Sequence, residues 1–384
     1  MSLLNSSNEL RKLSERSGSM SRKRLVIFNW MDFRNSHAGG AENVCYNIAK
    51  KFIEKENAEV LWISSRFKGS LGEEFYDGIR IKRVSSLKGI FVVAPFYYAV
   101  NKSKDDIILE SVNAIPFFTL LSTGFRKKIT LIYHIVPFSV LREKLTRMAP
   151  IVYFIQNVLT PKVYKKRNII TISNSTKEDL FRLGYERVEK VDLGIDVKPF
   201  IMEKENIVIV GGPFKPWKRT EDVIRAFSSM PENWQMVMFG VFEDESYHKQ
   251  IQKLIIELRL SGRIAIKGRI TDDEKWALYQ KAKISMAAGR KEGFGLTVFE
   301  SQAYGCVPIA YKTKGLSEAI EDGITGILVK DGDWRNLAAA LLRLLMDKEL
   351  WEDLSENGMN KTKSSSWDNV YQHFKSQFLL TDTK

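Results

Sequence analysis

Nine residues, Glu292-Gly-Phe-Gly-Leu-Thr-Val-Phe-Glu300, place a carboxylate at each end of a glycine-rich turn that runs into a helix. The glycines let a ligand approach the backbone, and the first amides of the helix point outward without partners of their own. Such an end attracts phosphate. Flanking acids weaken a bare phosphate site, but an ionised carboxylate accepts both donors of a vicinal diol. A nucleoside diphosphate sugar has this form, with a diphosphate between a ribose diol and a sugar. The same stretch alone also fits a helix stabilised electrostatically by Glu300, with Glu292 in solvent.

Three other places offer matching chemistry. Residues 211–219, GGPFKPWKR, set glycines and clustered positive charge after an expected strand, which makes either an anion seat or a solvated basic turn. Gly39 and Gly40 stand between the first expected strand and its helix, where a GG pair is often only a turn. His134 falls at the carboxyl end of an expected strand, where a residue of a cleft belongs. His37, His248 and His373 carry no such signal.

The stretch 292–300 resembles the E-x7-E signature of family 4 glycosyltransferases, retaining enzymes of the GT-B fold, and the likeness extends over roughly residues 24–380. The resemblance implies that Glu292 touches the donor sugar and Glu300 the ribose diol. Backbone at Phe294, Gly295, Leu296 and Thr297 would take the diphosphate. It also implies that Lys218 neutralises the leaving diphosphate and that Gly39 and Gly40 lie beside the β-phosphate and acceptor. His134 would contact the donor sugar, and Ile270 the base. The family's arginine position is Pro213 here, and the sequence leaves open whether Lys215 or Arg219 replaces it.

These residues need a scaffold, and short β-branched runs alternating with helix-spaced apolar patterns supply one. Strands are expected at 24–30, 59–64, 106–110, 128–134 and 168–173, then at 206–210, 234–239, 263–267, 283–287, 307–311 and 326–329. Helices are expected between them, including 41–55 and 297–304, the latter stopped by Gly305. Two α/β series give two doubly wound, Rossmann-like domains facing across a cleft. The expected division is a mobile basic tail (1–22), an acceptor-binding domain (23–197) and a donor-binding domain (198–365). A last helix (366–384) would pack back on the first domain. The turns 174–185 and 270–282 read as capped scaffold helices.

The net charge of +13 lies in the first half: residues 1–200 hold 33 Lys and Arg against 20 acids, and residues 201–384 hold 26 of each. Basic segments interleaved with apolar ones, around 82–104 and 123–170, point to an anionic membrane surface or to a basic solvated face. No spanning run, signal peptide or nucleic-acid-binding module is visible. Two separated cysteines, Cys45 and Cys306, fit a reducing compartment and a cytoplasmic protein peripheral to the membrane. The chain lacks a P-loop, a dinucleotide fingerprint and a convincing DxD, so no cofactor or metal is expected beyond the donor itself, a UDP- or GDP-sugar. Two rival readings are an epimerase on the same fold and a membrane adaptor without catalysis.

Overall fold

The computed structural model describes residues 23–380 apart from 125–126, 196, 198–202 and 291. The expected tail 1–22 lies outside the described residues, as does most of the segment around the expected 197/198 boundary.

Among the described residues the first sheet has eight strands: β1 (Arg24–Phe28), β2 (Glu59–Ser65), β3 (Glu73–Tyr76), β4 (Ile79–Ser85), β5 (Asp106–Val112), β6 (Lys127–Ile132), β7 (Ile169–Thr171) and β8 (Val188–Lys190). Their order is β3-β4-β2-β1-β5-β6-β7-β8, and every pairing except β3 with β4 is parallel. The second sheet is wholly parallel, in the order β11-β10-β9-β12-β13-β14. Its strands are β9 (Glu205–Gly211), β10 (Gln235–Phe239), β11 (Ile264–Lys267), β12 (Ala282–Ala287), β13 (Val307–Tyr311) and β14 (Ile327–Val329). Central strands such as β1 and β13 are almost continuously apolar because helices cover both faces.

Each expected strand is present within two residues at either end. The β3–β4 hairpin and the short β8 are additional. Asp77 and Gly78 both take positive φ in the two-residue turn of that hairpin, the geometry such a turn requires.

Helix Gly40–Glu56 buries Val44, Cys45, Ile48, Ala49 and Phe52, the stripe that 3.6-residue spacing predicts. The C-terminal helix Trp367–Leu380 packs against the first domain. Tyr371 and Phe378 pack edge-on against Phe52, at 5.2 and 5.8 Å between ring centroids. Lys51 and Lys55 pair with Asp368 at 3.2 and 3.0 Å. One apolar cluster therefore continues from the first sheet through this helix into the second domain.

Candidate active site

All eleven residues named as candidates line one cavity of about 590 Å³ between the domains. Gly39, Gly40 and His134 stand on the first-domain wall. Lys218, Ile270, Glu292, Phe294, Gly295, Leu296, Thr297 and Glu300 stand on the second. His134 follows β6 by two residues, beyond its carboxyl end, where parallel α/β sheets place ligands.

The helix after the glycine turn spans Leu296–Gln302, starting one residue earlier and ending two earlier than expected. Its end tightens into turns closed by Ala303, Tyr304 and Gly305 amides bonded to the carbonyls of Glu300, Ser301 and Gln302. Gly295 caps the start at φ 81°, a conformation that favours glycine. Phe294 turns its ring inward, edge-on to Phe299 at 5.0 Å, so its backbone is what it offers the cavity. Gly211, at the end of β9, has no room for a side chain: a Cβ there would lie 2.4 Å from Thr297 Cγ2. Close approach of β9 thus fixes the first turn of this helix.

The two acids sit differently. Glu300 is 9% exposed; its Oε2 accepts from Tyr279 OH at 3.1 Å and lies 3.2 Å from Lys275 Nζ. Glu292 forms an ion pair with Lys218, and both side chains are largely shielded. Opposite them, a Cβ built on Gly293 would fall 3.8 Å from His134 Nδ1, so the two walls meet at the acid-bearing loop.

The question left by Pro213 has a geometric answer. Pro213 lines the cavity, whereas Lys215 and Arg219 do not. Lys215 pairs with Glu243 and lies over the Trp217 ring. Arg219 donates to the Ala288 carbonyl at 2.9 Å and pairs with Asp331. The cavity draws its cations instead from Arg34, Lys218, Arg269 and Lys275, of which the sequence pointed only to Lys218. Lys275 lies in a segment read as scaffold; its one available signal was its i,i+4 spacing from Tyr279 on the helix Asp272–Lys281. Thr271 caps that helix, and Glu274 bonds back to Thr271 N at 2.8 Å.

Buried acids also shape the first-domain wall. Glu42 accepts from Gly39 N at 2.9 Å, and burial raises its pKa against that hydrogen bond. Asp32 receives a bidentate bond from Arg83 at 2.8 and 2.9 Å, both side chains fully buried, and accepts from Ser64 Oγ at 2.7 Å. This network anchors the start of the loop that brings Phe33, Arg34 and His37 to the cavity. Direct bonds hold the domains together around it. Arg269 Nη1 donates to Asn35 O at 2.8 Å, and Ser175 N, in the other segment read as scaffold, donates to Glu318 Oε1 at 2.7 Å. Among the described residues, no three His, Cys, Asp or Glu side chains are grouped to hold a metal.

Two sheet-based α/β domains across a cleft, with a final helix returning to the first, make up the GT-B fold. Residues 195–361 match the family described as Glycosyl transferases group 1. A glycosyltransferase of Methanocaldococcus jannaschii is 27% identical over 52% of this chain and 56% of its own. The N-acetyl-alpha-D-glucosaminyl L-malate synthase of Bacillus anthracis is 27% identical over 47% of this chain and 45% of its own. The chain thus spans about half the length of the curated relatives it matches. Sucrose-phosphate synthase of Thermosynechococcus elongatus superposes with a TM-score of 0.77 at 17% identity, covering 94% of this chain and 99% of that one. HepE of Anabaena, solved with UDP-glucose, gives 0.71 at 16% identity over 92% and 98%. At these identities the structural likeness is one of fold.

Proposed function

We propose that this chain is a retaining glycosyltransferase that moves a hexose-type sugar from a UDP- or GDP-sugar to a lipid-linked or glycan acceptor at a membrane surface. The observation carrying the proposal is that one cavity is lined by both acids of the 292–300 stretch, the helix start between them, Lys218 and, across the cleft, His134. Glu300 takes the ribose diol, the backbone of residues 294–297 takes the diphosphate, and Glu292 and His134 orient the sugar. The complex of HepE with UDP-glucose, on the same fold, supports a nucleotide sugar as the donor class.

In this reading the bond from the anomeric carbon to the diphosphate breaks while the acceptor oxygen bonds to that carbon on the same face. The acceptor's proton passes to the departing phosphate oxygen. Lys218 and the helix amides stabilise the charge that develops there, the kind of preorganised stabilisation that contributes most to such steps. The acceptor side draws on the basic first domain and its exposed apolar helices.

Calorimetric titration of UDP, GDP and ADP, in chelator, into wild type and Glu300→Ala tests the donor site. One nucleotide should bind selectively and weaken at least tenfold or so in the variant, the scale of a lost hydrogen bond to a charged group. Absence of binding by any of the three would sink the reading, and an inverted anomer in the product would sink retention.

A further inference from the structure

Lys275 stands in the cavity wall on the helix Asp272–Lys281, one turn before Tyr279. Its side chain is only 16% exposed, with Nζ 3.2 Å from Glu300 Oε2 and 3.2 Å from Asp272 Oδ1. The ammonium also lies 4.1 Å from the centroid of the Trp276 ring. Tyr279 OH donates to the same oxygen of Glu300 at 3.1 Å, so two donors from one helix face grip Oε2. Burial lowers the pKa of Lys275, but the Glu300 and Asp272 carboxylates outweigh it and the net shift is upward. The group is therefore charged at neutral pH.

The helix bearing these donors is fixed at both ends. Thr271 and Glu274 close its start. At its other end the half-buried Lys204 donates through Nζ to Tyr279 O and Ala282 O, each at 2.9 Å. A glutamate held this way has lost its rotational freedom before any ligand arrives, which is the meaning of preorganisation.

We infer that Lys275 is a positioning residue that makes the donor site selective for ribonucleotides over 2′-deoxyribonucleotides, by clamping Glu300 Oε2 so that Oε1 faces the ribose diol. The inference rests on the reading of this cavity as a nucleotide-sugar site. A site built to hydrogen-bond a hydroxyl rejects the analogue lacking it, because a fixed polar group is then left unpaired. A glutamate free to swing loses that discrimination, since it can turn to another partner. The 292–300 stretch supplies the carboxylate, and Lys275 and Tyr279 supply its orientation.

The test is calorimetric affinity for UDP, GDP and ADP and for their 2′-deoxy forms, in wild type, Lys275→Met and Lys275→Arg, with melting temperatures alongside. Wild type should favour the ribose form of its nucleotide by about tenfold or more, the scale of one charge-assisted hydrogen bond. Lys275→Met should bring the ratio close to one, and Lys275→Arg should keep most of it. Equal weakening of both forms in Lys275→Met, with the ratio intact, would mean a merely structural role and overturn the inference. Wild type binding both forms alike would also overturn it while leaving the donor site standing; no nucleotide binding would overturn the donor site itself. If Lys275→Met does not fold, Tyr279→Phe removes the second donor to Oε2. It must then lower the ratio, and an unchanged ratio counts against the clamp.

Discussion

Gly315 lies directly against the backbone of Glu292: a Cβ built on it would come 2.0 Å from Glu292 O and 2.5 Å from the carbonyl carbon. Backbone cannot swing aside as a side-chain tip can, so the loop carrying the first acid rests where it does because residue 315 has no side chain. Gly315→Ala should displace that loop and pull Glu292 away from His134 and Lys218. Turnover should fall by at least about tenfold, because an error near 1 Å in positioning costs up to about a hundredfold. Melting temperature should fall only by degrees. Steady-state kinetics and thermal unfolding on one preparation check this, and unaltered kcat/KM would show that the loop has another support.

Lys218 and Glu292 are ion-paired inside the cavity, so each carries part of the other's charge balance. Removing Lys218 leaves Glu292 as an uncompensated carboxylate beside the proposed diphosphate position. Lys218→Ala should lower kcat by about 10²–10³, the usual cost of losing one group that stabilises developing charge. Glu292→Gln should lower it too, and the double variant should lose less than the product of the two single losses. Multiplicative losses in the kinetic cycle would mean that the pair does not work as a unit.

The candidate site was largely legible because its chemistry is written in residue types at turns. Glycines, two acids at fixed spacing, a lysine after a strand and a histidine at a strand end all fall where sheet ends bring them together. Lys275 was not legible, since only its pairing with Glu300, 25 positions later, distinguishes it from any lysine on a capped helix. The fate of Arg219 was equally hidden, because Asp331 and the Ala288 carbonyl that occupy it come from other loops. In the fold, apolar strands such as β1 and β13 announced themselves, whereas β3 and β4 carry many charges at a sheet edge. Their hairpin signal, Asp77-Gly78, sits between EEFY and IRIKRVS, runs with too little apolar character to read as sheet core.

The C-terminal helix depends on Glu56, which meets Lys375, Tyr371 and Lys23. The Lys375 hydrogen bond, then that of Tyr371, hold its pKa down to about 2 from an ordinary 4.5. A carboxyl whose pKa is depressed by folding stabilises the folded state above its unfolded pKa and loses that contribution as pH falls through the folded value. Glu56→Gln should therefore melt about 2–4 °C below wild type near pH 6, the shift that about 1 kcal/mol produces in a domain of this size. The gap should narrow as pH drops from about 4.5 towards about 2. Melting curves of both proteins from pH 6 downward check it, and a gap constant with pH would assign the loss to packing.

The helix Ile90–Asn101 is apolar on both sides. Ile90, Ala94 and Tyr98 are buried, while Val92, Phe96 and Val100, at the same four-residue spacing, are 77%, 71% and 69% exposed. A helix apolar all round is ordinarily buried, so the outer stripe needs a cover. Exposed Lys88, Lys102 and Lys104 flank it, which favours an anionic lipid surface, where each basic residue contributes about 1 kcal/mol. No described helix is long and apolar enough to cross a membrane, so this contact would lie in the plane of the interface. Sedimentation with vesicles should show binding to phosphatidylglycerol-rich membranes and little to phosphatidylcholine alone. Phe96→Asp should cut that binding by about tenfold or more, since it removes an exposed aromatic side chain that the membrane interface would take up and adds a repelled charge. Nucleotide affinity should be unchanged in that variant, which separates surface docking from damage to the cavity. Equal binding of wild type and Phe96→Asp would remove this helix from the docking face.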